Sequence, residues 1–215
     1  MSMRNVIGQV RPNSTFENFE VLNDGLGSLV GNLQKLAGGI IAKSEHILAL
    51  RNPFADAKLI ILHGKPGRGK THLVEALINA LAKGDPRLLS RVYLSRYDFT
   101  MENIAGVHHY DNLPIVVIDD IFASHHSINE LHPATDIKSF MSFVKMIYED
   151  RRLVIVTGNF PFKDGILEKV RLEDKTGRVL SRMQELMASA GEIEVIGDDY
   201  REKLAREKAG QEFEV

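Results

Sequence analysis

At 215 residues the chain suits one α/β domain with short appendages, and a hydrophobic content of 44% is enough for a real core. A net charge of −2 supplies no bulk basic field for nucleic acid, so any DNA contact has to be a local patch. Cysteine is absent, which excludes disulfides, thiolate metal sites and cysteine nucleophiles.

The opening stretch "MSMRNVIGQVRPNS" has no apolar h-region, and no run reaches the roughly 18 apolar residues a membrane span needs, so a cytoplasmic protein with no membrane contact is expected. Residues 1–15 are polar and read as a loose arm, followed by the short aromatic segment "TFENFEV" at 15–21. Residues 24–50 read as a helix interrupted at Gly38-Gly39. "AKLIILHG" is a buried strand, and Thr71 to Lys83 is the helix after a glycine turn. Further strands follow at 91–95 and 113–121, the latter with the continuous apolar run of a central parallel strand. Helical spacing of Ile137, Phe140, Met141, Val144 and Tyr148 predicts a helix over 136–150, and "RLVIVTGN" is a fourth strand. "TGRVLSRMQELMASAG" reads as a helix closed by Gly191, "EIEVIG" at 192–197 as a fifth strand, and the charged tail as a surface helix. Strands alternating with helices imply an α/β fold, a five-stranded parallel sheet with helices on both faces.

Gly64-Lys65-Pro66-Gly67-Arg68-Gly69-Lys70-Thr71 fits G-x-x-x-x-G-K-[ST] and sits between a predicted strand and a predicted helix. Its glycines let backbone N–H groups converge on phosphates, where the helix N-terminus adds partial positive charge. Lys70 is expected to reach the β- and γ-phosphates of ATP, the Thr71 hydroxyl to bind Mg²⁺, and His72 to border the nucleotide. Lys65 and Arg68, within the loop, are expected to face solvent.

Asp119 and Asp120 end the apolar run "IVVID", at the carboxyl edge of the sheet beside the phosphate loop. Asp119 is expected to hold Mg²⁺ through water and Asp120 to polarise the attacking water. An aspartate there is one methylene shorter than glutamate, which predicts slow hydrolysis, better suited to a switch than to a metabolic kinase. The next strand ends in "VTGN"; Asn159, with Thr157 as second choice, is the candidate to orient that water or sense the γ-phosphate.

These motifs together resemble the AAA+ ATPases, and more narrowly the DnaC/DnaI helicase loaders and the related IstB transposition ATPases. The likeness covers roughly residues 14–202, through "TFENFEVLNDG", "GKPGRGKTHLVEAL", "VVIDDI", "YEDRRLVIVTGNFPF", "GRVLSRMQE" and "IEVIGDDYR". It implies an AAA+ core without a separate C-terminal lid: arm and leader at 1–23, the ATPase domain at 24–200 and a charged tail at 201–215. It also implies that Arg182 in "LSRMQE" acts in trans on a neighbouring subunit's γ-phosphate, and that Arg201 in "DDYR" contacts phosphate in cis. Self-association in a ring or spiral on ATP binding, a replicative DNA helicase as partner, and single-stranded DNA as a weaker one follow from the same resemblance.

Two departures from the loader pattern stand out. About a dozen residues precede "TFENF", too few for a folded adaptor, so helicase binding would use the arm, the AAA+ surface or another protein. "RYDFTMENIAGVHHYDN" at 96–112 leaves room for one short helix, where loaders usually insert more of the single-stranded DNA path. His108-His109 and His125-His126 lack a compact ligand spacing; with Tyr110, those near a central channel could stack on bases. An IstB-like transposition regulator, a non-hydrolysing adaptor and a small-molecule kinase are the competing readings. The kinase is disfavoured because residues 163–182 mix basic with acidic groups and form no arginine-dense lid.

Overall fold

Side chains along the central strands alternate between two cores, and this places helices on both faces of one sheet. In the computed structural model the described residues are 6–96, 113–190, 192–196 and 199. The strands are β1 (Lys58–His63), β2 (Val92–Arg96), β3 (Ile115–Ile121), β4 (Leu153–Gly158) and β5 (Glu192–Glu194). All pair in parallel in the order β2-β3-β4-β1-β5, the fold class expected from the sequence. Leu59, Ile61, Val116, Ile118, Val154 and Val156 enter one core, while Leu62, Val117 and Ile155 enter the other. This period of two buries the sheet on both sides and makes its strands read as unbroken apolar runs.

Helices α1 (Asp24–Ala42), α2 (Ser44–Ala49) and α3 (Lys70–Gly84) belong to the second core. Helices α4 (Lys138–Asp150), α5 (Leu167–Glu173) and α6 (Arg178–Ala190) cover the other face. Because the strands are parallel, the residues after β1, β3 and β4 emerge at one edge, with β4 between the other two. That order brings the glycine loop, the two aspartates and Asn159 together.

Four local readings change. Helix α1 runs through Gly38-Gly39 without a break and ends four residues later at Lys43. The two glycines are exposed, while Leu33, Ala37 and Ile40 are buried, so packing on α3 outweighs a propensity cost of about 1 kcal/mol per glycine. Residues 6–16 are not a loose arm: Val6, Val10, Ser14 and Phe16 are buried against the second core. Strand β5 is shorter than 192–197, although the N–H of Val195 still donates to the His63 carbonyl at 2.7 Å. Helix α4 is preceded by a wide turn at Pro133–Ile137 and ends at Arg151, whose φ of 51° stops it. Gly191, His108, His109, Tyr110, Arg201 and the charged tail lie outside the described residues.

Candidate functional site

The chain leaves β1 through Gly64 (φ 144°), turns at Gly67 (φ 78°) and Gly69 (φ 88°), and enters α3 at Lys70. Side chains at these φ values are strained, and space is also short. A Cβ on Gly64 would stand 2.5 Å from the Val195 carbonyl oxygen, and one on Gly67 would collide with an Asp199 carboxylate oxygen. Val195 and Asp199, beyond β5, therefore lie directly against the loop. Lys70 is 7% exposed, and its Nζ donates to the carbonyls of Gly64 (2.6 Å) and Lys65 (2.9 Å) and to Asn159 Oδ1 (3.1 Å). These three oxygens fix the position of the ammonium at the mouth of the loop.

The end of β3 is irregular. Ile118 pairs with Val156 and Ile121 with Gly158, so Asp119 and Asp120 together stand opposite Thr157. Such a bulge re-aims the side chains it carries. Asp119, buried, accepts from the Thr71 hydroxyl at 3.1 Å and the Thr157 hydroxyl at 2.7 Å, both on Oδ1. Asp120 is half-buried with φ 64°, its N–H donates to Thr157 Oγ1 at 2.7 Å, and its Oδ1 accepts from Asn159 Nδ2 at 3.3 Å. Asn159 therefore spans Lys70 and Asp120 with one amide. The sequence-predicted set Lys70, Thr71, Asp119, Asp120 and Asn159 converges on one spot.

A cavity of about 370 Å³ adjoins this cluster, lined by the loop residues Pro66 to Thr71 with His72, Asp120, Thr157 and Asn159. Its other wall was not foreseen: Phe19, Leu22, Leu26 and Ile196 give it an apolar end. Leu22 and Ile196 are 47% and 57% exposed, unusual for groups of their size flanking a polar cleft. The leader that supplies this wall is fastened to α3. His72 Nε2 lies 2.8 Å from the Thr15 carbonyl oxygen, and its ring centroid lies 5.5 Å from that of Phe19. Phe19 in turn packs over Gly69. Asn79 Nδ2 donates to the carbonyls of Arg11 and Ser14, each at 2.8 Å.

Glu75, fully buried, is the main anchor. It accepts from Arg11 Nε and Ser14 Oγ, each at 2.7 Å, and from Arg96 Nη2. Burial pushes its carboxyl up, but the hydrogen bonds from Ser14, Arg96 and Arg11 outweigh that and hold it below the usual carboxylate range. The four-residue spacing of Glu75 and Asn79 on α3 was the available signal, since polar groups on an otherwise apolar helix face need partners.

Arg182 is not part of the cluster. Its guanidinium lies 5.1 Å above the Tyr148 ring and 3.6 Å from Glu149, at the end of α4. Since α4 ends just before β4 begins, this is the edge of the sheet opposite the loop. Glu185, three residues on from Arg182, instead accepts from the Tyr148 hydroxyl at 3.0 Å. His125 pairs with Asp136 at 3.2 Å and the His126 N–H donates to Glu130, within the long segment after β3. A larger cleft of about 810 Å³ lies on the other flank of the loop, its lining mixing Lys65, Lys163 and His63 with Asp164, Glu192 and Glu194.

The residues fit a nucleotide with magnesium. The cavity's apolar end and cationic loop match a base and a phosphate chain. The adjacent Thr71 hydroxyl and Asp119 carboxylate are hard oxygen donors of the kind Mg²⁺ takes alongside phosphates and water. No group of three His, Asp or Glu suited to a caged metal occurs among the described residues, nor any helix long and apolar enough to cross a membrane.

A parallel sheet in this order, with a glycine loop feeding α3 and an acidic bulge beside it, is the P-loop NTPase fold. The chain belongs to the Novel STAND NTPase 3 family, whose model matches residues 47–196. It is similar to the chromosomal replication initiator protein DnaA of Thermosipho africanus, 30% identical over 126 residues, which are 54% of this chain and 25% of that protein. The chain thus spans about a quarter of that relative's length. In fold it is similar to the crystal structure of DnaI, with a TM-score of 0.56 and 17% identity over 92% of this chain and 94% of the other. It is also similar to AMPPCP-bound DnaA from Aquifex aeolicus, with a TM-score of 0.50 and 16% identity over 96% and 57% respectively. The resemblance to helicase loaders and their AAA+ relatives seen in the sequence is borne out at the level of fold.

Proposed function

We propose that this protein binds ATP with Mg²⁺ in the cavity beside the loop and hydrolyses it slowly, as a switch that acts on a replicative DNA helicase. The observation that supports this most is Lys70, buried and held by Asn159, which in turn reaches Asp120. The loop N–H groups and Lys70 take the phosphates, while Phe19, Leu22 and Ile196 receive the base. Magnesium, when bound at Thr71 and Asp119, supplies a Lewis acid that offsets the charge of the phosphates. On this reading Asp120 accepts a proton from the attacking water, and Asn159 reports on the γ-phosphate through its contacts with Lys70 and Asp120. Arg201 is assigned to phosphate in cis.

Arg182 lies away from the protein's own loop, which supports a role on a neighbour's nucleotide in a ring or spiral. The likeness of fold to DnaI and DnaA supports a place in DNA replication. Single-stranded DNA is the further ligand of that reading, and an IstB-like transposition regulator is its alternative.

The test is titration of ATP with and without Mg²⁺, with phosphate release measured in parallel, on wild type and Lys70→Ala. Losing one charge-assisted contact of this kind predicts a fall in affinity of about 10- to 100-fold. Equal affinity in the two proteins refutes the site. Tight binding without phosphate release makes the protein a nucleotide-holding adaptor. Light scattering with a hexameric replicative helicase, with and without ATP, then tests the partner: no complex in either state removes the loader reading.

A further inference from the structure

Both acids at the end of β3 depend on one side chain that the sequence ranked only second. Thr157 is 1% exposed, and its hydroxyl donates to Asp119 Oδ1 and accepts from the Asp120 N–H, each at 2.7 Å. The bulge creates the need for it. With Ile118 paired to Val156 and Ile121 to Gly158, the ladder skips the peptides between them, so the Asp120 N–H needs a partner outside the regular pattern. Asp120 also sits at φ 64°, a backbone state that persists only where surrounding contacts over-determine it.

We propose that Thr157 is a positioning residue whose hydroxyl locks the two carboxylates into separate tasks. By donating to Asp119 it fixes the rotamer that turns Oδ1 to Thr71. By accepting from the Asp120 N–H it holds the left-handed backbone that aims Oδ1 of Asp120 at Asn159. One hydroxyl does both, because it can donate once and accept at the same time. Valine has nearly the same shape and can do neither. Without the lock, the 119–120 peptide is free to rotate toward the ladder, which carries Asp120 away from Asn159 and leaves the Asn159 amide its Lys70 contact. The proposal rests on the reading of this cavity as an ATP·Mg²⁺ site.

The test compares full-length wild type, Thr157→Val and Thr157→Ser. Amide hydrogen exchange at Asp120, measured without nucleotide, comes first. In wild type this amide is expected to exchange within about 10-fold of the ladder amide of Val156. In Thr157→Val it is expected to exchange at least about 10-fold faster, with Thr157→Ser close to wild type. Turnover of ATP in Thr157→Val is expected to fall about 10- to 100-fold, the usual loss when a supporting partner is removed. ATP affinity without Mg²⁺ is expected to fall by less than turnover, because the loop N–H groups and Lys70 itself are unaltered.

Fast exchange of Asp120 in wild type overturns the lock even if Thr157→Val does not fold. Equal exchange in wild type and Thr157→Val also overturns it, as does a loss in Thr157→Ser as large as in Thr157→Val, which would point to the methyl group. If wild type binds no ATP, the reading of the site falls, while exchange at Asp120 still judges the hydroxyl by itself.

Discussion

Replacing Glu75 with alanine tests whether the leader is part of the nucleotide site. Removing one member of a buried ion cluster costs about 3–5 kcal/mol, because the partners keep their desolvation penalty. Arg11 is 63% exposed and regains water easily, while Arg96 is 26% exposed, its Nε buried without a hydrogen-bond partner among the described residues. The lower end, about 3 kcal/mol, is therefore expected. In a chain of this size each kcal/mol moves Tm by about 2–4 °C, so Glu75→Ala should melt about 6–12 °C below wild type. Calorimetry gives the shift, and hydrogen exchange over residues 6–19 shows whether the leader has come loose. The pH dependence has a definite sign. Because the folded-state carboxyl lies below its ordinary value, its contribution is full above the unfolded pKa, about 4.3, and is lost as pH falls through the folded one. The gap between wild type and Glu75→Ala should be flat from about pH 5 to 8 and narrow below about pH 4. A shift under about 1 °C with the leader still protected would refute the reasoning.

Gly67→Ala should weaken ATP binding at least about 10-fold in a calorimetric titration, since φ 78° disfavours alanine and the new methyl meets Asp199; unchanged affinity would mean the loop adapts. Arg182→Ala should lower phosphate release while ATP affinity stays within about 2-fold and Tm within about 3 °C, as its pairing with Glu149 is a surface one. Equal loss of binding and release would instead make Arg182 a structural residue of its own subunit. Asp174→Ala removes acceptors for the Leu180 N–H (2.9 Å) and the Thr176 hydroxyl (2.9 Å) at the start of α6, and should cost about 1 kcal/mol, or about 2–4 °C, leaving ATP affinity alone.

Strands β1 to β4 were legible because they are buried on both faces and so read as apolar runs closed by a polar edge residue. The convergence of Lys70, Thr71, Asp119, Asp120 and Asn159 was legible too, since a parallel sheet delivers all strand ends to one side. The leader was not. Val6, Val10 and Phe16 show no periodicity, and what holds them down is Glu75 and Asn79, on a helix more than fifty residues away in sequence. Glu75 by itself resembles any solvated helix charge. Thr157 was visible as a polar residue in an apolar strand, but its double duty depends on a bulge in β3 that no spacing rule announces. The Gly38-Gly39 pair misled for the opposite reason: local propensity argued for a break, and burial of Ala37 and Ile40 decided otherwise.

The cavity takes its walls from segments remote along the chain: the leader, the loop after β1, and Ile196 beyond β5. Contacts across such separations form slowly, since chain closure comes before any gain from packing. On the proposed reading, a sheet completed before both outer walls dock would offer the phosphates a seat and the base none. A nucleotide that touches all the walls acts as a clasp on the finished fold, adding about 2.7 kcal/mol at a hundred times its dissociation constant. If ATP occupies the cavity as proposed and these remote contacts form last, its effect falls mainly on the rate of opening rather than on the rate of folding.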